Sequence, residues 1–157
     1  MTVYGQPTGP RGYDIIDSPI MVFWMPVLRV AGRIVQHPHA GGYKLHVSVD
    51  PADADRVARG ALPLLQSVRV SHKVVYPLSA YGTMNAGEQR GKFITVYAGP
   101  TEQGFAMVAD ALDACLLEMK ARPGPQALDR LAGHACAERS YGQSGLLSFV
   151  IVASYRC

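Results

Sequence analysis

Tyr43-Lys44-Leu45-His46-Val47-Ser48-Val49-Asp50-Pro51, residues 43–51, holds a strand and the start of a helix. Tyr43, Leu45, Val47 and Val49 alternate with Lys44, His46 and Ser48, the period-two pattern of a strand with one apolar and one polar face. Asp50-Pro51 then opens a helix. The aspartate caps free N–H groups, and the proline has a helical φ and no N–H to leave unpaired at the first position.

Downstream, Val57, Ala61, Leu64 and Leu65 give this helix an apolar stripe, interrupted by Gly60 and Pro63. Val68 to Tyr76 reads as a second strand, Pro77 to Gly91 as a long polar loop, and Lys92 to Ala98 as a third strand. Phe105, Val108, Ala109, Leu112, Cys115, Leu116 and Met119 recur at helical spacing on one wide apolar face. Pro123-Gly124-Pro125 closes that region, and Leu146 to Tyr155 is a strongly apolar last strand. Upstream, the Gly- and Pro-rich residues 1–19 read as irregular, and residues 20–30 as a strand that Pro26 would place at an edge. Pro38 to Gly42 reads as a loop. The expectation is an α+β fold: an antiparallel sheet in β-α-β-β-α-β order, two helices on one face, and an open cationic face carrying the site. Residues 1–42 are expected to form an N-terminal extension and residues 43–157 the domain.

At 157 residues the chain suits one domain with a real core, and 48% hydrophobic with 17% charged residues excludes a disordered chain. A net charge of +3 without a Lys/Arg run permits an anionic ligand but gives no reason to expect nucleic acid. Cys115, Cys136 and Cys157 are scattered and odd in number, which fits a reducing cytoplasm rather than a disulfide framework. The apolar stretch Ile20 to Val30 is broken by Pro26 and Arg29 and is too short to span a bilayer, so no membrane partner is expected.

Lys44 and His46, two apart on a strand, point to one face, and Lys73 and Lys92 join them if the strand registers agree. Such a cluster, with an arginine nearby, suits a dianion: lysine brings a point charge, arginine a planar fork. The ordinary alternative is a solvated sheet face with a locally satisfied histidine. No metal or other cofactor is expected. His37-Pro38-His39 and His134-Ala135-Cys136 lack enough partners for a metal, and Cys115 lies on the apolar stripe.

The 43–49 strand, with its K-x-H pattern, resembles that of the phosphothreonine lyases secreted by type III systems. It also resembles the lyase domains at the N-termini of class III and IV lanthipeptide synthetases. The resemblance continues in Ser71-His72-Lys73-Val74-Val75 and in Arg90-Gly91-Lys92-Phe93-Ile94-Thr95-Val96-Tyr97. It extends more loosely to Arg139-Ser140-Tyr141-Gly142, covering about residues 43–142. The loop between Lys73 and Tyr97 differs in length from that of the secreted effectors. The resemblance implies β-elimination of phosphate from a phosphoserine or phosphothreonine side chain, with Lys73 as base and His46 as acid. Lys44, Arg90 and Arg139 would hold the phosphate, with Lys92 or Arg122 as substitutes, and Tyr97 would stand near the site. These roles suit the residue types, because crowding by cations favours a neutral lysine and a neighbouring dianion favours the imidazolium.

The implied substrate is a phosphorylated peptide, and the 90–97 strand looks closer to the synthetases. A cytoplasmic bacterial enzyme of lanthipeptide-type peptide modification is therefore expected, working with a separate kinase and cyclase. The alternatives are an effector secreted into a host to inactivate kinases and a module that only binds phosphopeptides. An RNA-binding module shares the β-α-β-β-α-β order, but its third-strand motif needs aromatic and small residues where Lys92 and Phe93 stand.

Overall fold

The computed structural model describes residues 13–15, 21–24, 29–30, 33–34, 42–84, 90–124 and 138–152. The strands are β1 (Asp14–Ile15), β2 (Met21–Trp24), β3 (Arg29–Val30), β4 (Arg33–Ile34), β5 (Gly42–Val47), β6 (Ser71–Val75), β7 (Ile94–Tyr97), β8 (Arg139–Tyr141) and β9 (Leu147–Val152). The helices are α1 (Ala54–Ser67), α2 (Leu78–Met84) and α3 (Glu102–Met119). Seven strands form one antiparallel sheet in the order β1-β2-β6-β7-β5-β9-β8, and β3 pairs with β4 apart from it. Its centre, β6-β7-β5-β9 with α1 and α3, is the expected β-α-β-β-α-β unit.

Local chemistry explains most boundaries. Asp50 accepts a hydrogen bond from the Ala52 N–H and starts a 3-10 turn, Pro51–Asp53, that runs into α1. Gly60 is tolerated inside α1 because the helices touch there: a Cβ would lie 1.9 Å from Met119 Cε of α3. The second strand begins at Ser71 rather than Val68, because Arg69 takes a left-handed conformation (φ 56°) and ends the helix in a turn. Thr101 caps α3 by accepting from the Gly104 N–H. Leu45, Val47, Val74, Ile94 and Val96 face α1 and α3 across the core, meeting Val57, Ala61, Leu62 and Leu65 of one and Phe105, Val108, Leu112 and Leu116 of the other.

The N-terminal region departs from expectation. Asp14–Ile15 is a strand where irregular chain was expected. β2 stops before Pro26, so the proline does not confine it to an edge; it lies between β1 and β6. The polar loop expected over residues 77–91 contains α2, held by a contact distant in sequence. The Tyr81 ring packs tilted against Phe93, 4.7 Å between centres, and its hydroxyl donates to the Val49 carbonyl at 2.6 Å. The third strand is shorter than expected, beginning at Ile94 and leaving Lys92 and Phe93 ahead of it. The last strand is described to Val152; Ala153 to Tyr155, Cys136, Cys157, the 38–41 loop and the His37/His39 and His134 pairs lie outside the described residues. Among the described residues no helix is long and apolar enough to cross a membrane.

Candidate active site

Because the sheet is antiparallel, residues paired across strands point to the same face. One row reads Phe23, Lys73, Thr95, His46, Ser148 and Ser140, from β2 through β6, β7, β5 and β9 to β8. The next row on that face holds Ser71, Tyr97, Lys44 and Val150. Both rows lie opposite the helix-packed Leu45 and Val47. The registers therefore bring Lys73 and His46 together on either side of Thr95, two strand spacings or about 10 Å apart at Cα. Lys44 stands beside His46 in the next row.

Aromatic rings floor the lysines. Lys73 Nζ lies 5.5 Å from the centre of the Phe23 ring and Lys44 Nζ 5.7 Å from that of Tyr97. The two rings stack, 6.5 Å apart and 13° from parallel. Lys44 and Lys73 are half-buried, whereas His46, Thr95 and Lys92 are buried. Among the described residues the Thr95 hydroxyl has no hydrogen-bond partner.

Glu138, just before β8, completes the cluster. Its Oε1 is 2.8 Å from His46 Nδ1, with both side chains nearly buried. The ring N–H is not directed straight at that oxygen, so the contact is a close polar one that becomes an ion pair when the ring is protonated. Burial is the largest influence on His46 and holds its pKa below the ordinary value. Glu138 pushes it back up, while Lys92 and Lys44 push it down. Burial also works against the Glu138 carboxylate, but the neighbouring His46 and Ser148 side chains and the Lys92 charge outweigh it, so that pKa is lowered.

The remaining expected residues are placed differently. Lys92 belongs to the cluster, acting electrostatically on both His46 and Glu138. Arg90 is exposed on the turn before Gly91 and makes no hydrogen bond or ion pair among the described residues. Arg139 pairs with Phe149, which pairs with Leu45, so the register turns its side chain to the helix side of the sheet. Arg139 therefore points away from the cluster in which the resemblance would have it hold phosphate. Arg122 is engaged by Asp53, to which its Nε donates at 3.0 Å. Two residues escaped the sequence reading: Phe23, in a segment assigned to the extension, and Glu138. Only alternation back from Ser140 would have indicated Glu138, and that requires knowing how β8 pairs.

The model of the RamC N-terminal domain family matches residues 21–135 of the chain. Several solved structures share its fold. The type III effector and phosphothreonine lyase OspF from Shigella flexneri is 13% identical, with a TM-score of 0.57 over 89% of this chain and 70% of that one. The Salmonella plasmid virulence C protein, SpvC, is 15% identical, with a TM-score of 0.56 over 89% of this chain and 65% of that one. The Chromobacterium violaceum phosphothreonine lyase effector VirA is 13% identical, with a TM-score of 0.54 over 96% of this chain and 70% of that one. At these identities the likeness is one of fold. The chain spans 63% of the length of a further phosphothreonine lyase of this group. A comparison with curated protein sequences gives no match.

Proposed function

Because this chain belongs to the RamC N-terminal domain family, we propose that it is a phosphothreonine/phosphoserine lyase working through the cluster on the polar face of its sheet. The observation that carries this reading is the row Lys73–Thr95–His46, which sets an amine and an imidazole on either side of one strand beside Lys44 and Lys92. Lys73 Nζ takes the Cα proton of the phosphorylated residue. The C–H electron pair becomes the Cα=Cβ double bond, the Cβ–O bond breaks, and His46 donates its proton to the departing phosphate oxygen. Lys44 and Lys92 hold the non-bridging oxygens and offset the charge that grows on them. Arg90, exposed on the turn two residues before Lys92, closes onto the phosphate when the peptide binds. Tyr97 lies under Lys44 and limits its movement. The products are hydrogen phosphate and a dehydroamino acid.

The substrate is taken to be a phosphorylated precursor peptide of lanthipeptide-type modification, supplied by a separate kinase and passed to a cyclase. The resemblance of residues 90–97 to the synthetase lyase domains supports this context, and the fold shared with OspF and SpvC supports the host-kinase alternative equally. Mass spectrometry of phosphothreonine peptides, one from a kinase activation loop and one from a precursor peptide, tests both. Loss of phosphoric acid by the wild type is expected, with Lys73→Ala slowed by about 10²–10⁴-fold while still binding the peptide. A wild type that binds both peptides and leaves them unchanged would make this a phosphopeptide-binding module. Elimination confined to the kinase peptide would sink the biosynthetic context and leave the chemistry standing.

A further inference from the structure

A buried carboxylate beside the proposed acid needs an account, because two nearly buried ionisable groups are expensive to hold unless they act on one another. Glu138 is reached from the far edge of the sheet. It precedes β8, alternates onto the face of Ser140, and there meets His46 at 2.8 Å and Ser148 through a hydrogen bond. Resting on the lyase reading above, we propose that Glu138 is the positioning residue of the reaction, holding the His46 ring by Nδ1 so that Nε2 presents its proton to the leaving phosphate.

A neutral imidazole carries one N–H, and whichever nitrogen is tied to an acceptor sets the direction of the other. A free His46 samples both tautomers and several ring orientations, few of them productive. Tied to Glu138, it has one orientation, and the carboxylate compensates the imidazolium that must exist before each turnover. That compensation matters at this site. The groups facing His46 are otherwise the cations Lys44 on its own strand and Lys92 ahead of β7, with Lys73 two strands away on the same row and Tyr97 beside Lys44. Glu138 is the anion that offsets them among the described residues. The Ser148 hydrogen bond holds the carboxylate in turn, so the chain of support runs from β9 to Glu138 to His46.

The decisive experiment compares wild type with Glu138→Gln and Ser148→Ala. It follows elimination from a phosphothreonine peptide across pH, together with NMR titration of isotopically labelled His46. Glu138→Gln keeps the shape and removes the charge. Its kcat is expected to fall about ten- to hundredfold with little change in KM. The limb of the kcat/KM profile that titrates His46 should move to lower pH, and so should the His46 NMR titration. Ser148→Ala leaves Glu138 in place but less firmly held, so it should give a smaller effect of the same sign. A Glu138→Gln protein with wild-type kcat and an unmoved His46 titration overturns the proposal. A loss of kcat with an unmoved titration also overturns it, reducing Glu138 to a structural role. If the titration moves but the wild type eliminates nothing, the lyase reading fails and takes with it any catalytic purpose for the pair.

Discussion

Neighbouring residues here have opposite fates because of strand alternation. Glu138 faces the cluster and Arg139 the helices, although the family resemblance drew attention to the arginine. His72 and Lys73 make a second such pair. Lys73 joins the site, while His72 is buried on the other face, its Nδ1–H donating to the Val70 carbonyl at 2.8 Å and its Nε2 accepting from the Tyr13 hydroxyl at 2.6 Å. The bond from Tyr13 requires the neutral ring, and Trp24 stacks on it at 5.4 Å. Burial pulls the His72 pKa down to about 4 from an ordinary 6.5. Between those values the unfolded chain binds a proton that the native chain does not. Stability is therefore full above pH 6.5 and is lost as the pH falls toward 4, by about 3 kcal/mol. Urea denaturation at pH 7 and pH 4.5 should show that fall. His72→Gln should remove His72's share and leave a slope of the same sign from buried His46.

Among the elements, α3 shows how a helix readable from its apolar stripe can still end in a conformation that sequence does not advertise. Its C-terminal cap, Lys120, sits in the left-handed region with φ 52° and ψ 40°, where its N–H reaches the Leu117 carbonyl. A lysine there carries the Cβ clash that glycine avoids. Lys120→Gly is expected to stabilise the protein by about 0.5–1 kcal/mol, read as a higher thermal midpoint, with elimination activity unchanged because Lys120 lies on the helix side of the sheet. An unchanged or lower midpoint would mean that the glycine's greater freedom in the unfolded chain cancels the gain. α2 is the opposite case. Leu78–Met84 carries weak helical signals, and its anchor is the Tyr81 contact with Phe93 and Val49, which exists only once β5 and β7 are in place.

At the scale of the molecule, the sheet is continuous across residue 42. Met21, Val22 and Phe23 are 2–5% exposed and packed on β6, Phe23 lies under the proposed base, and Tyr13 and Trp24 enclose His72. Burying three such side chains contributes on the order of 6 kcal/mol, comparable with the whole stability of a domain. Removing them also bares the β6 edge to pairing with other chains. A 43–157 fragment is therefore expected to lose its cooperative thermal transition, or to aggregate, and to lose elimination activity. A fragment that melts like the full chain would show residues 1–42 to be an appendage, as the division at residue 42 supposes.

The sequence by itself determined the central β-α-β-β-α-β unit, because the periods of two and 3.6 and the Asp-Pro cap act over a few residues and need no distant partner. It also determined that Lys44 and His46 share a face, since alternation within one strand is local. That Lys73 stands in the row of His46 was decided by the registers of β5 with β7 and β7 with β6. That Phe23 and Glu138 join them, and that Arg139 does not, was decided by strands added at the two ends of the sheet. Strand pairing is a contact between segments far apart in the chain, and a shift of one residue reverses every side chain. The identity of a cluster drawn from several strands therefore belongs to the tertiary structure.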